Sequence, residues 1–110
     1  MKTLKFIVDG YVIRPDPSCK DFEGLVPGGG DVKLVLSFSN DWRGYSRVAA
    51  FYRAMGKEYD PRVLEDGAYC MVPAEALTKR VFKVRVFGRN NNSDAMCTNT
   101  LTVRQNGGVV

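Results

Sequence analysis

The 110-residue chain contains no histidine. That removes the commonest general base, the orienting member of a Ser or Cys triad, and the most frequent transition-metal ligand. Cysteine is sparse. Cys19, Cys70 and Cys97 form an odd set at wide spacing, which offers neither a disulfide framework nor a C-x-x-C metal pair. Cys70 in AYCMV and Cys97 in AMCTNT sit in strand-like segments and are expected to be small buried hydrophobes. No apolar run approaches the roughly 20 residues of a membrane helix. The opening MKTLKFIVDG has a short apolar run broken by Asp9 and no small-residue cleavage site, so it reads as a first strand, not a signal peptide. These features predict a chain made in a cytoplasm, with no membrane partner.

Motifs for small-molecule chemistry are missing as well. The glycines of GGGD are followed by Asp31 and a strand, with no Lys-Ser/Thr pair, so the phosphate-loop reading fails. DGYVIRPDPS lacks the alternating oxygen ligands of a calcium loop. The aspartates fall mostly at predicted turns, where they have a local hydrogen-bonding role. No catalytic residue, cofactor-binding residue or metal ligand is assigned, and the chain reads as a non-enzyme.

What the sequence does hold is an ordinary globular composition, 45% hydrophobic and 25% charged, with a net charge of +4. The length suits one domain. Apolar residues alternate with period two and stop at turn signals, the pattern of half-buried strands. Leu4, Phe6 and Val8 share one face of residues 3–8. Asp9-Gly10 predicts a hairpin to a short strand at 11–14, ended by Pro15 and Pro17. The stretch 15–31 is irregular and reads as a long loop, mobile or used for contact. Val32, Leu34, Leu36 and Phe38 point inward from the next strand. Trp42, after the turn at Ser39, Asn40 and Asp41, is expected to cap a core end with its indole N–H on a carbonyl, the sharper alternative being an exposed stacking platform.

Residues 47–53 are apolar on both faces, with Ala49 and Phe51 on one and Val48, Ala50 and Tyr52 on the other. That predicts a central strand or one covered by a neighbour. A poorer strand at 58–64 must place Pro61 at an edge or bulge. Residues 68–72 follow, then one helical turn near 73–78 in which Leu77 plugs the core. In the strand 81–87, Phe82, Val84 and Val86 point inward. Gly88 and residues 89–94 are expected as a hairpin loop. The last strand, 97–104, is expected to alternate Cys97, Asn99, Leu101 and Val103 against Thr98, Thr100, Thr102 and Arg104. Together these segments predict an all-β, immunoglobulin-like β-sandwich of about 7–8 short strands over residues 1–104, with a small β-barrel as the alternative. Residues 105–110 are expected as a flexible C-terminal tail.

Three surface readings remain open. The segment TKRVFKVRVFGR interleaves Lys79, Arg80, Lys83, Arg85 and Arg89 with Phe82 and Phe87, so that Lys83, Arg85 and Phe87 project from one strand face. Lys83, Arg85 and Arg89 are a candidate basic contact face for a single-stranded nucleic acid, or a solvated outer sheet face. Trp42, Tyr45, Tyr52, Tyr59 and Tyr69 are candidate stacking groups for a glycan.

The stretches VKLVLSFSNDWRGYSRVAAFYR, LEDGAYCMVPAEALTKRVFKVRVFG and TNTLTVRQNGG occur in that order from Val32 to Gly108. They resemble small proteins and N-terminal domains of bacteriophages and prophages of Gram-positive and gut bacteria, of the tail, baseplate and tail-fibre type. The residues that carry the resemblance are Phe38, Trp42, Phe51, Cys70, Val72, Pro73, Leu77, Phe82, Val84, Val86, Gly88, Thr98 and Asn99. The resemblance implies a small β-sandwich virion component that acts by protein–protein contact. It also implies other phage structural proteins as partners, a homo-oligomeric arrangement, and a route from the bacterial cytoplasm to the virion.

Overall fold

A computed structural model describes residues 1–105. It shows an all-β sandwich of two separate sheets, so the barrel alternative is not formed. The first sheet has the order β2-β1-β3-β6, from β1 (Lys2–Asp9), β2 (Val12–Pro15), β3 (Val32–Phe38) and β6 (Tyr69–Met71). The second runs β5-β4-β7, from β5 (Arg62–Val63), β4 (Ser46–Arg53) and β7 (Val81–Arg89). Its far edge is shared by β8 (Ala95–Cys97) and β9 (Leu101–Arg104), both of which pair with β7. The inward sets predicted from alternation make the core: Leu4, Phe6, Val8, Val32, Leu34 and Leu36 face Ala49, Phe51, Phe82, Val84 and Val86. Phe51 and Phe82 tilt against each other with centroids 6.3 Å apart.

The β1–β2 hairpin turns at Gly10 and Tyr11, with Gly10 at φ +57°, a conformation open to glycine at little cost. From the end of β2 the chain must pass beneath β1, because β3 pairs with β1 in parallel, Lys2 opposite Val32 and Val8 opposite Phe38. A parallel neighbour requires a crossover of a dozen or more residues, and 16–31 supplies it. This stretch is docked. It makes a 3-10 turn at Asp21–Gly24, Asp21 accepts the Thr3 N–H at 2.8 Å, and Phe22 meets Phe6 edge-on at 5.2 Å. Leu25 is buried, and the Gly28 N–H donates to Leu77 O at 2.8 Å. The stretch expected as a mobile or contact loop therefore packs over one end of the core.

Gln105 lies at that same end. It was expected as the first residue of a flexible tail, but it is buried, and its amide donates to Leu77 O at 3.0 Å and Lys79 O at 2.7 Å. Those carbonyls belong to the turn around Ala76–Thr78, a 3-10 turn where one helical turn was expected. Pro73 and Leu77 are buried beside it. The rest of the predicted tail, 106–110, lies outside the described residues.

The opposite end is closed by Trp42, at the end of the 3-10 turn Asn40–Trp42. Its ring is wholly buried and its indole N–H donates to Gly10 O at 2.8 Å, as the capping reading expects. Phe38 packs on it at 5.3 Å and Tyr45 at 6.0 Å. Arg47 locks the surround: its guanidinium lies 4.2 Å from the Phe38 ring centroid and donates to Trp42 O and Gly67 O, both at 2.9 Å. Gly88, expected in a hairpin loop, is instead inside β7 opposite Arg47, and faces the tryptophan. A Cβ there would stand 2.7 Å from Trp42 Cζ3 and 3.3 Å from Ser46 O, so only glycine lets the ring lie down on the strand.

The last strand differs from the expected unbroken 97–104. Phe87 pairs with Cys97, whereas Val84 pairs with Leu101, so one extra residue sits on the edge strand between them, a β-bulge. Thr98 makes it: its N–H donates to Val86 O at 3.0 Å, and its hydroxyl accepts the Val86 N–H at 3.1 Å and donates to Asn99 O at 2.8 Å. The bulge reverses the alternation, turning Met96 and Thr98 inward before it and Val103 inward after it. Cys97 consequently points outward and is only half-buried, against expectation. Asn99 leaves the ladder and bridges the sheets, receiving the Ile13 N–H on Oδ1 at 2.8 Å and donating its own N–H to Tyr11 O at 3.1 Å.

Gly88→Ala is expected to lower the unfolding free energy by about 1–3 kcal/mol, the usual cost of overpacking. Urea denaturation checks it, and the cost should shrink when Trp42→Phe removes the opposing ring atom. Asn99→Ala should cost about 1–3 kcal/mol by leaving the Ile13 N–H without its partner.

Candidate functional site

With the core residues assigned, Phe38, Trp42, Phe51, Cys70, Pro73, Leu77, Phe82, Val84, Val86 and Gly88 form a structural set, and Asn99 joins the two sheets. Trp42 is fully buried and Tyr59 is 5% exposed, so neither offers a stacking surface to a sugar. Tyr45 is engaged by Trp42, and Tyr69 lies under the Lys33 ammonium at 4.3 Å. Among the described residues no group of three or more His, Cys, Asp or Glu side chains is placed to hold a metal ion, and no helix is long and apolar enough to cross a membrane.

The outward face of the second sheet is different. The register sets Phe87 beside Val48 on β4 and Cys97 on β8, with Val63 of β5 next to Val48. Val63 is 74% exposed and Phe87 36%. A shallow groove of about 470 Å³ runs here, lined by Ser46, Val48, Phe87, Arg89, Ala95, Met96 and Cys97 among others. Of the two expectations for β4, the central position holds, since it lies between β5 and β7, while its apolar outward side is partly open. Its signal in the sequence was the two-faced apolar run of β4; Val63, in the short β5 that follows Pro61, gave none.

The three predicted basic residues all lie on this face. Lys83 stands between Tyr52 on β4 and Thr102 on β9. Arg85 is held: Nε donates to Thr98 O at 2.8 Å, Nη2 approaches Cys97 Sγ at 3.2 Å, and the guanidinium lies 4.9 Å from the Phe87 ring centroid. The bulge thus also supplies the carbonyl that fixes Arg85. Arg89 is exposed and reaches Ser93 O at 3.4 Å. Arg104, opposite Val81, adds a fourth cation that the sequence reading left out. The one ion pair among the described residues, Arg53–Glu75 at 3.6 Å, lies elsewhere. Lys79 and Arg80 are exposed beyond the start of β7.

The thiols differ in environment. Burial pushes Cys70 from its ordinary 9.0 up to about 12, Arg62 opposing and Glu65 adding to the shift. Cys19 and Cys97 are partly accessible. The chain matches no family model, no curated protein and no solved structure. The surface chemistry and the sequence motifs therefore carry the functional reading.

A raised thiol pKa keeps the proton on the folded chain while the unfolded chain releases it. Its stabilising share is full below about pH 9 and falls away between pH 9 and about 12. Unfolding free energy should drop by about 1 kcal/mol per pH unit more in the wild type than in Cys70→Ala across that window. A thiol reagent at pH 8 should label Cys19 and Cys97 in the native protein and Cys70 only after denaturant is added.

Proposed function

We propose that this chain is a non-enzymatic structural or adaptor component of a phage or prophage particle, associated with the tail, baseplate or fibre, that acts by protein–protein contact. The observation that carries the reading is the outward face of the second sheet: an exposed apolar centre flanked by cations, with Arg85 held in place, on a closed-ended sandwich. Exposed apolar patches with polar rims mark interaction surfaces. The motif series from Val32 to Gly108 supports the phage setting, with synthesis in the bacterial cytoplasm and assembly into the virion. Copies of the chain would sit in a ring or fibre, each presenting this face to a different neighbour.

Nucleic acid is the second reading, favoured by Lys83, Arg85 and Arg89 sharing a face with Phe87. It ranks lower because Arg85 commits two of its donors to Thr98 and Cys97 and takes one face of the Phe87 ring. A glycan reading has lost Trp42 and Tyr59 to the core.

Mass spectrometry of purified induced particles should find the chain at stoichiometric abundance. Phe87→Asp should leave it soluble and folded by circular dichroism while removing it from particles. Recovery of the wild-type chain only from the soluble lysate would refute the virion reading.

A further inference from the structure

Resting on that contact reading, we infer that the neighbour seated on the second sheet is an acidic protein segment carrying a bulky apolar anchor side chain. The groove between Val48, Phe87, Ala95 and Cys97 is apolar and open, about 470 Å³, with room for a bulky side chain. It calls for an apolar insertion, since a charged group placed there would lose its hydration without a partner. On the side of β7 and β9 the charge has one sign. Lys83, Arg85, Arg89 and Arg104 project from β7 and β9, and the outward positions of β4, β7, β8 and β9 place no carboxylate among them. Glu58, bridged to Tyr52, marks the rim on the other side.

That distribution discriminates among occupants. A second copy docked by the same face would set cation against cation around a two-fold axis, which is repulsive. A nucleic acid would need open ring faces and free guanidinium forks, yet one face of Phe87 is taken by Arg85 and Arg85 is bonded to Thr98 O at 2.8 Å. An acidic segment with one large apolar residue satisfies both halves of the surface, the anchor entering the groove and its carboxylates meeting Lys83, Arg89 and Arg104.

The test is a titration of the isotope-labelled full chain at low salt, followed by two-dimensional NMR. Three probes are used: a twelve-residue peptide with one phenylalanine flanked by glutamates, the same peptide with lysines, and oligo-dT of twelve nucleotides. The glutamate peptide should shift the amides of Val48, Phe87 and Cys97. Its affinity should fall at least about tenfold in the surface variant Lys83→Glu/Arg89→Glu and again on raising salt to about 0.5 M. Phe87→Ser should weaken it to a similar degree while the spectrum of the remaining residues stays dispersed. Absence of shifts with the glutamate peptide, equal shifts with the lysine peptide, or tighter binding of oligo-dT at the same amides would each overturn the inference. Particle incorporation is read separately by mass spectrometry, so a failed titration with the chain present in virions would remove the acidic partner and leave the virion role standing.

Discussion

Trp42 lying flat on Gly88 is the contact on which the sandwich depends. It joins the turn after β3 in one sheet to the end of β7 in the other, and its indole N–H reaches a third segment at Gly10. One fully buried tryptophan brings a large area of apolar surface out of water, and its indole N–H is paired with a carbonyl. Arg47 wraps the outside of this cluster, paired through two backbone carbonyls and stacked on Phe38. With that end fixed, β4 and β7 are held in register, and the face they present outward is set with them.

The other end is closed by different means. The crossover 16–31 folds over it, with Phe22 and Leu25 turned inward and Gln105 pinned beneath the turn at 76–78. The two ends differ in physical character, one held by a ring on a glycine and the other by a length of chain returning to begin a parallel strand. Both leave the outward side of the second sheet free of covering chain. The charged, apolar-centred surface there is thus a product of where the connections run.

Much of this was legible in the period-two alternation, because each inward set had a single outcome: Leu4, Phe6 and Val8 had only one face on which to be buried. Trp42 was readable for the same reason, being too large and apolar to leave in water beside a turn. Three features were not. Glycine at 88 signals a turn when read locally, and only the ring arriving from 46 residues upstream in the chain reveals it as a packing surface. The bulge at Thr98 depends on a hydroxyl standing in for a backbone acceptor, which periodicity does not encode, so the faces of Cys97 and Asn99 were misjudged. Irregular composition at 16–31 indicates the lack of strands but not whether the segment is docked. The basic face was legible as charges on alternate positions of β7, whereas its apolar centre is assembled from β4, β5 and β8 and exists only after pairing.

The bridge from Asn99 to Ile13 spans 86 positions of the chain. During synthesis the amino-terminal hairpin leaves the ribosome long before its last partner does, and the free edge of β2 stays open through that interval. The nascent chain therefore carries an unfinished sheet edge, available to other chains, until residue 99 has been made. Completion comes from a single asparagine, whose side chain and own amide take up the two waiting backbone groups.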